Sequence, residues 1–163
     1  MFIPTNNSYF LLGGPPSNNF LIFQQGKKIL PNKTQMPTFR NFFSTVYYAQ
    51  KVYVFGGYDG ENKMQIKTCE YYDIVQSKWK QISDMKVARS QSAACRINDQ
   101  EILVCGGYNK ELGTLNTIER YVIAKDKFEL LSLKLPIPLR RFMIVRVSNN
   151  KALILGGLTV SSK

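Results

Sequence analysis

The chain offers little for proton or metal chemistry. Its 163 residues include no histidine, which removes the side chain that titrates nearest neutral pH and the commonest metal ligand. Asp59 and Glu61 share one polar stretch, and Asp99 and Glu101 another. Neither set shows the pairing a general acid and base would need, and both read as polar ends of hairpins. Asp59-Gly60-Glu61-Asn62 lacks the ligand spacing of a Ca²⁺ loop. Cys69, Cys95 and Cys105 form no C-x-x-C, and Cys95 and Cys105 lie in apolar runs, so they read as small buried hydrophobes. The sequence therefore predicts no catalytic residue, no cofactor and no metal site. What recurs is arginine: Arg40, Arg89 and Arg140 stand 16 or 17 residues before the first glycine of a double glycine. A guanidinium repeated in every unit reads as structural, donating to carbonyls or carboxylates between units. The functional alternative is that some of these guanidiniums reach the surface and meet an acidic peptide.

Those arginines are placed by a repeat. Four apolar runs each close on paired glycines, at Gly13-Gly14, Gly56-Gly57, Gly106-Gly107 and Gly156-Gly157, with first glycines 43, 50 and 50 residues apart. A period near fifty points to stacked units such as propeller blades. No Gly-x-x-x-x-Gly-Lys-Ser/Thr is present and no helical pattern follows, so the glycines read as turns rather than a phosphate cradle. Between them lie short runs rich in β-branched and aromatic residues. One set of four is Ser44 to Ala49, Lys51 to Phe55, Thr68 to Ile74 and Lys78 to Ile82. The next is Ser92 to Ile97, Glu101 to Cys105, Asn116 to Ile123 and Lys127 to Leu131. Turn residues separate the runs, and no stripe at helical spacing competes with them.

Within the second unit Tyr72-Asp73 follows the double glycine, Trp79 comes seven residues after Tyr72, and Met85 leads to Arg89. This pattern resembles the kelch repeat. In the third unit Tyr121 and Phe128 take the aromatic places, Val122 replaces the Asp, and Leu135 to Arg140 stands in for Met to Arg. In the first unit only Met36 to Arg40 is intact. The resemblance covers the whole chain, 1–163, as a single kelch-repeat domain. It implies an all-β fold, a partial kelch-type β-propeller of about three four-stranded antiparallel blades whose ring is not closed. Tyr72 with Trp79, and Tyr121 with Phe128, are expected between sheets, where such rings bury roughly 150–250 Å² each. Some kelch-like propellers are oxidases with copper held by His and Tyr; a chain without His departs from that pattern.

The resemblance further implies a non-enzymatic protein-interaction module, a scaffold or adaptor, either a fragment or a shortened relative of a larger propeller. Its partner would be a protein met by loops after the double glycines: Tyr58, Asp59, Glu61 and Asn62 in one unit, Tyr108, Asn109 and Lys110 in the next. The narrower alternative is the substrate-recognition part of a cullin-type ubiquitin ligase, a role needing a cullin-binding domain that these residues do not contain. Three blades are too few to close a ring. The chain reads as a fragment of a longer protein, as an arc that pairs with itself, or as part of a hetero-complex. The net charge is +11, with five bases and no acid in residues 1–58 and six bases and no acid in 130–163. The bases are scattered singly or in twos, so nucleic-acid binding is disfavoured. No apolar run reaches the ~18 residues of a membrane helix and Met1 to Ser8 lacks a signal peptide's basic start. The expectation is a cytoplasmic protein without membrane contact.

Overall fold

The computed structural model describes residues 35–148 and 151–159 in full, and residues 4–5, 8–12, 20–24 and 27–28 as backbone strands. Short β-branched and aromatic runs broken by turns fold into sixteen strands, with one 3₁₀ turn at Ile123–Lys125 and no α-helix among the described residues. The first sheet is β1 (Pro4–Thr5), β2 (Ser8–Leu12), β3 (Phe20–Gln24) and β4 (Lys27–Lys28). The second is β5 (Ser44–Tyr48), β6 (Lys51–Asp59), β7 (Met64–Asp73) and β8 (Lys78–Ile82). The third comprises β9 (Ala93–Arg96), β10 (Glu101–Cys105), β13 (Thr117–Val122) and β14 (Lys127–Lys134), and a small hairpin of β11 (Tyr108–Asn109) and β12 (Gly113–Thr114) prolongs it. The chain then forms a two-stranded ribbon, β15 (Arg140–Ser148) and β16 (Lys151–Leu158). Every pairing is antiparallel, and the strands of each four-stranded sheet follow one another in sequence. The expected all-β, open partial propeller is what the structure shows.

Alternation along the strands gives the second and third sheets apolar faces, which they bury against each other and against the ribbon. Val46, Tyr53, Phe55 and Cys69 of the second sheet pack on Ile102, Val104, Tyr121 and Phe128 of the third. Ala93, Cys105 and Ile118 on the third sheet's other face meet Phe142 of β15. The Tyr121 and Phe128 rings lie 4.8 Å apart, with Phe55 edge-on to Phe128 at 6.0 Å, a favoured aromatic geometry. Tyr72 and Trp79 form the equivalent registered pair on the second sheet's opposite face, with ring centroids 5.4 Å apart. There Tyr72 and Val52 are fully buried, while Trp79 is half-buried at the cluster's border.

The paired glycines do not end their strand in the second sheet. Gly56 and Gly57 lie inside β6 at a register shift, with φ of +56° and +119°. A Cβ on Gly56 would sit 2.5 Å from the Arg89 carbonyl oxygen and 3.1 Å from that of Ile66. Backbone from two other segments thus crosses this point, which only glycine permits.

Removing a ring enclosed between two sheets leaves a cavity. Phe128→Ala is expected to destabilise the protein by about 3–5 kcal/mol in a chemical melt, and Trp79→Ala by distinctly less. Equal losses at the two positions would contradict this account of the packing.

Candidate functional site

The repeated arginine occupies the best-defined polar site. Arg40, on the connection entering the second sheet, is fully buried. Its Nη1 donates to the carbonyls of Gly56 (3.0 Å) and Thr68 (2.7 Å), and its Nη2 to Thr68 Oγ1 (3.2 Å) and Glu70 Oε1 (2.8 Å). Arg89 repeats this in the third sheet with Gly106 (2.8 Å), Thr117 (3.1 Å to O, 3.2 Å to Oγ1) and Glu119 Oε1 (2.7 Å). Burial pulls both guanidiniums below their ordinary pKa, and the neighbouring carboxylates pull them back up. Glu119 also accepts from the backbone N–H groups of Lys86 (2.6 Å) and Val87 (3.1 Å).

The backbone of the same connection is bound to the preceding sheet. Met85 N–H donates to Lys67, Arg89 N–H to Ile66, and Gly57 N–H to the Arg89 carbonyl. Arg89 therefore clasps one sheet with its backbone and the next with its side chain. Glu70 and Glu119 were not singled out from the sequence. Their signal was a Thr-x-Glu placed 28 and 30 residues after each buried arginine.

Arg140 does not continue the series. Gly107 N–H donates to the Leu139 carbonyl, as Gly57 N–H does to that of Arg89. Arg140 pairs with Leu158, as Asn41 does with Tyr58 and Ser90 with Tyr108. Register thus puts Leu139, four residues after Leu135, where Arg40 and Arg89 follow Met36 and Met85. Arg140 is one residue late and is half-exposed, its guanidinium 5.1 Å from the Tyr108 ring centre.

The loop residues after the double glycines fall into two groups. Asp59 Oδ1 accepts from the N–H groups of Glu61 (2.8 Å) and Asn62 (3.1 Å), and Asp59 Oδ2 from Asn62 Nδ2 (2.7 Å). These bonds hold the Asp59 carboxyl below its usual range. Asn109 Oδ1 does the same for Glu111 and Leu112, while its Nδ2 donates to the Ala88 carbonyl. Asp59 and Asn109 are thus turn builders. Glu61 and Lys110 are exposed and Tyr58 and Tyr108 are half-exposed. The Lys110 N–H donates to Gln65 Oε1 (3.0 Å), tying the two turns of adjacent sheets together.

A groove of about 640 Å³ runs past β5, β9 and β15, lined by Ser44, Thr45, Ser92, Ala94, Phe142 and Val145 among others. Ser44 and Ser92 lie 3.2 Å apart there, and no acid or base lines it, so nothing in the groove activates either hydroxyl. No group of three potential metal ligands occurs among the described residues, and no described helix is long and apolar enough to cross a membrane. All three cysteines are free and buried, and burial pushes the Cys69 and Cys105 thiols up to about 12.

A buried ion pair that loses one partner leaves the other charge stranded, so Arg89→Ala is expected to destabilise by about 3–5 kcal/mol. Arg89→Met with Glu119→Leu should recover part of that loss. A single-variant loss under ~1 kcal/mol in a urea melt would show the pair to be dispensable. The thiols should resist a disulfide exchange reagent at pH 8 until the protein unfolds; rapid labelling of the native protein would refute their burial.

The KLHDC2/KLHL20/DRC7 Kelch-repeats domain matches residues 5–157. Alpha-scruin of Limulus polyphemus is 30% identical over 137 residues, covering 80% of this chain and 14% of that protein. Kelch-like protein 15 of Homo sapiens is 37% identical over 107 residues, 65% of this chain and 17% of its own length. Kelch repeat and BTB domain-containing protein 2 of cowpox virus is 29% identical over 124 residues, 70% and 22% respectively. The chain spans less than a quarter of the length of each of these curated relatives. With stacked four-stranded sheets, in-phase double glycines and a match over residues 5–157, the chain belongs to the kelch-repeat family.

Proposed function

We propose that residues 1–163 act as one kelch-repeat unit that binds another protein and catalyses no reaction. The observation that carries this reading is the pair of tied turns. Asp59 and Asn109 fix their backbones, the Lys110 N–H joins them through Gln65, and Glu61 and Lys110 are left exposed beside half-exposed Tyr58 and Tyr108. A surface held rigid before contact loses little entropy on binding, and tyrosine with mixed charge suits a protein partner. Similarity to kelch-like proteins, a family generally of interaction scaffolds, supports the same reading.

A narrower version, the substrate-recognition part of a cullin-type ubiquitin ligase, is favoured by similarity to a Kelch repeat and BTB domain-containing protein. Both versions meet in one experiment, affinity capture with mass spectrometry on the wild type and on Glu61→Lys with Lys110→Glu. The expected outcome is a wild-type partner depleted at least tenfold by the double variant, with the melting temperature unchanged. An identical captured set from both proteins would exclude the turns as the contact surface, and a partner in the wild-type set alone that becomes ubiquitinated in its presence would favour the ligase reading.

A further inference from the structure

A cleft of about 240 Å³ opens between the second and third sheets, lined by Lys51, Tyr53, Tyr71, Lys80, Tyr121 and Asp126 among others. It lies at the start of β6, the opposite end of that strand from the tied turns. Register builds its wall on the second sheet. Tyr53 pairs with Tyr71, and Tyr71 with Lys80, so the three share one face. Lys51, two residues before Tyr53, shares it too. Across from them, Asp126 Oδ1 accepts from the Ser83 N–H (2.9 Å) and the Tyr121 hydroxyl (2.9 Å).

The repeat shows what is unusual here. Lys51 and Tyr53 stand where Glu101 and Leu103 stand before the next double glycine. By register, Tyr71 and Lys80 match Arg120 and Glu129. In the third sheet these groups neutralise one another, with Arg120 3.1 Å from Glu101 and 2.7 Å from Glu129. In the second sheet the same places hold two ammonium groups and a phenol. Neither Lys51 nor Lys80 forms an ion pair with a described residue. The Lys51 Nζ rests 4.9 Å from the centre of the Tyr71 ring. Asp73, paired with Lys51 in register, is buried, accepts from the Gln76 N–H (2.9 Å) and does not line the cleft.

Tyr53 is 2% exposed, yet its hydroxyl makes no hydrogen bond with a described residue. Burial above all, helped by Tyr71, Tyr48 and Asp73, pushes its pKa up to about 12, so it keeps its proton and stands as a donor. The cleft thus offers a buried donor without a partner beside two ammonium groups, against the single carboxylate of Asp126. An oxyanion satisfies the hydroxyl and balances the charge, and two ammonium groups suit the nearly double charge of a phosphate. The volume equals roughly eight waters at ~30 Å³ each, more than a bare phosphate fills, and the remaining walls include the Tyr71 and Tyr121 rings.

We propose that this cleft binds a phosphate monoester, with Lys51, Lys80 and the Tyr53 hydroxyl as donors to the phosphate and the Tyr71 and Tyr121 rings against the organic part. The site is separate from the tied turns, and the proposal stands independently of them.

The probes are phenyl phosphate and inorganic phosphate, followed by isothermal titration calorimetry at fixed ionic strength. Phenyl phosphate should bind the wild type saturably and at least tenfold more tightly than inorganic phosphate. Tyr53→Phe removes a hydroxyl that has no protein partner, so the melting temperature without ligand should not fall. Its affinity for phenyl phosphate should drop about tenfold, the worth of one hydrogen bond to a charged group. Lys80→Gln, at an exposed position, should weaken binding to a similar degree, whereas Lys134→Gln, exposed on β14, should not. Should Tyr53→Phe be destabilised, the contrast between Lys80→Gln and Lys134→Gln still decides the matter. No saturable binding to the wild type, or unchanged affinity in Tyr53→Phe and Lys80→Gln, overturns the proposal. So does an equal loss in Lys134→Gln, because it would assign binding to the diffuse positive charge of the chain. Inorganic phosphate binding as tightly as phenyl phosphate overturns the assignment of a monoester.

Discussion

A guanidinium withdrawn from water has to find its hydrogen bonds and its counter-charge inside the protein, and this requirement organises the repeat. Arg89 reaches the Gly106 carbonyl, the Thr117 carbonyl and hydroxyl, and the Glu119 carboxylate from one buried position. Those groups lie just past the end of β10 and on its neighbour β13, so they can converge only if the two strands hold one register. The backbone of the same residue is bound to Gly57 and Ile66 in the previous sheet. One residue thus fixes where a sheet begins relative to the sheet before it. Here the buried pair joins the connection of one sheet to the strands of the next.

Around these fixed points the sheets stack through apolar faces. Tyr53 and Phe55 meet Tyr121 and Phe128 between the second and third sheets, and smaller residues, Ala93 and Cys105, serve between the third sheet and the ribbon. The glycine pair allows the two mechanisms to coexist. The connection crosses β6 so closely that a Cβ at Gly56 would strike the Arg89 carbonyl, the same residue whose side chain enters the next sheet.

The polar turns beyond the double glycines follow from the same spacing. Asp59 and Asn109 occupy equivalent places just beyond the glycines, and each accepts backbone N–H groups two and three residues on. Their conformations are thereby settled without help from a partner, which leaves the neighbouring exposed side chains available. That division of labour suits a family generally made of interaction scaffolds.

The sequence by itself determined the sheets: period-two runs, turn residues and double glycines in phase placed the strands of both complete units to within a few residues. It also marked Arg40 and Arg89 as structural, because a residue type recurring at a constant interval answers to the repeat. It did not reveal their partners, since Glu70 and Glu119 lie 30 residues away in sequence and meet the arginines only across folded strands. Nor did it show that Leu139, and not Arg140, holds the third place, since insertions shift a count by one residue while hydrogen bonds to Gly107 do not. The half-burial of Trp79 was equally invisible, because a motif names a ring without naming what covers it. Local periodicity belongs to the chain, whereas register between strands, enclosure between sheets and the choice of a buried charge's partner are set by contacts among distant residues, which only the assembled structure contains.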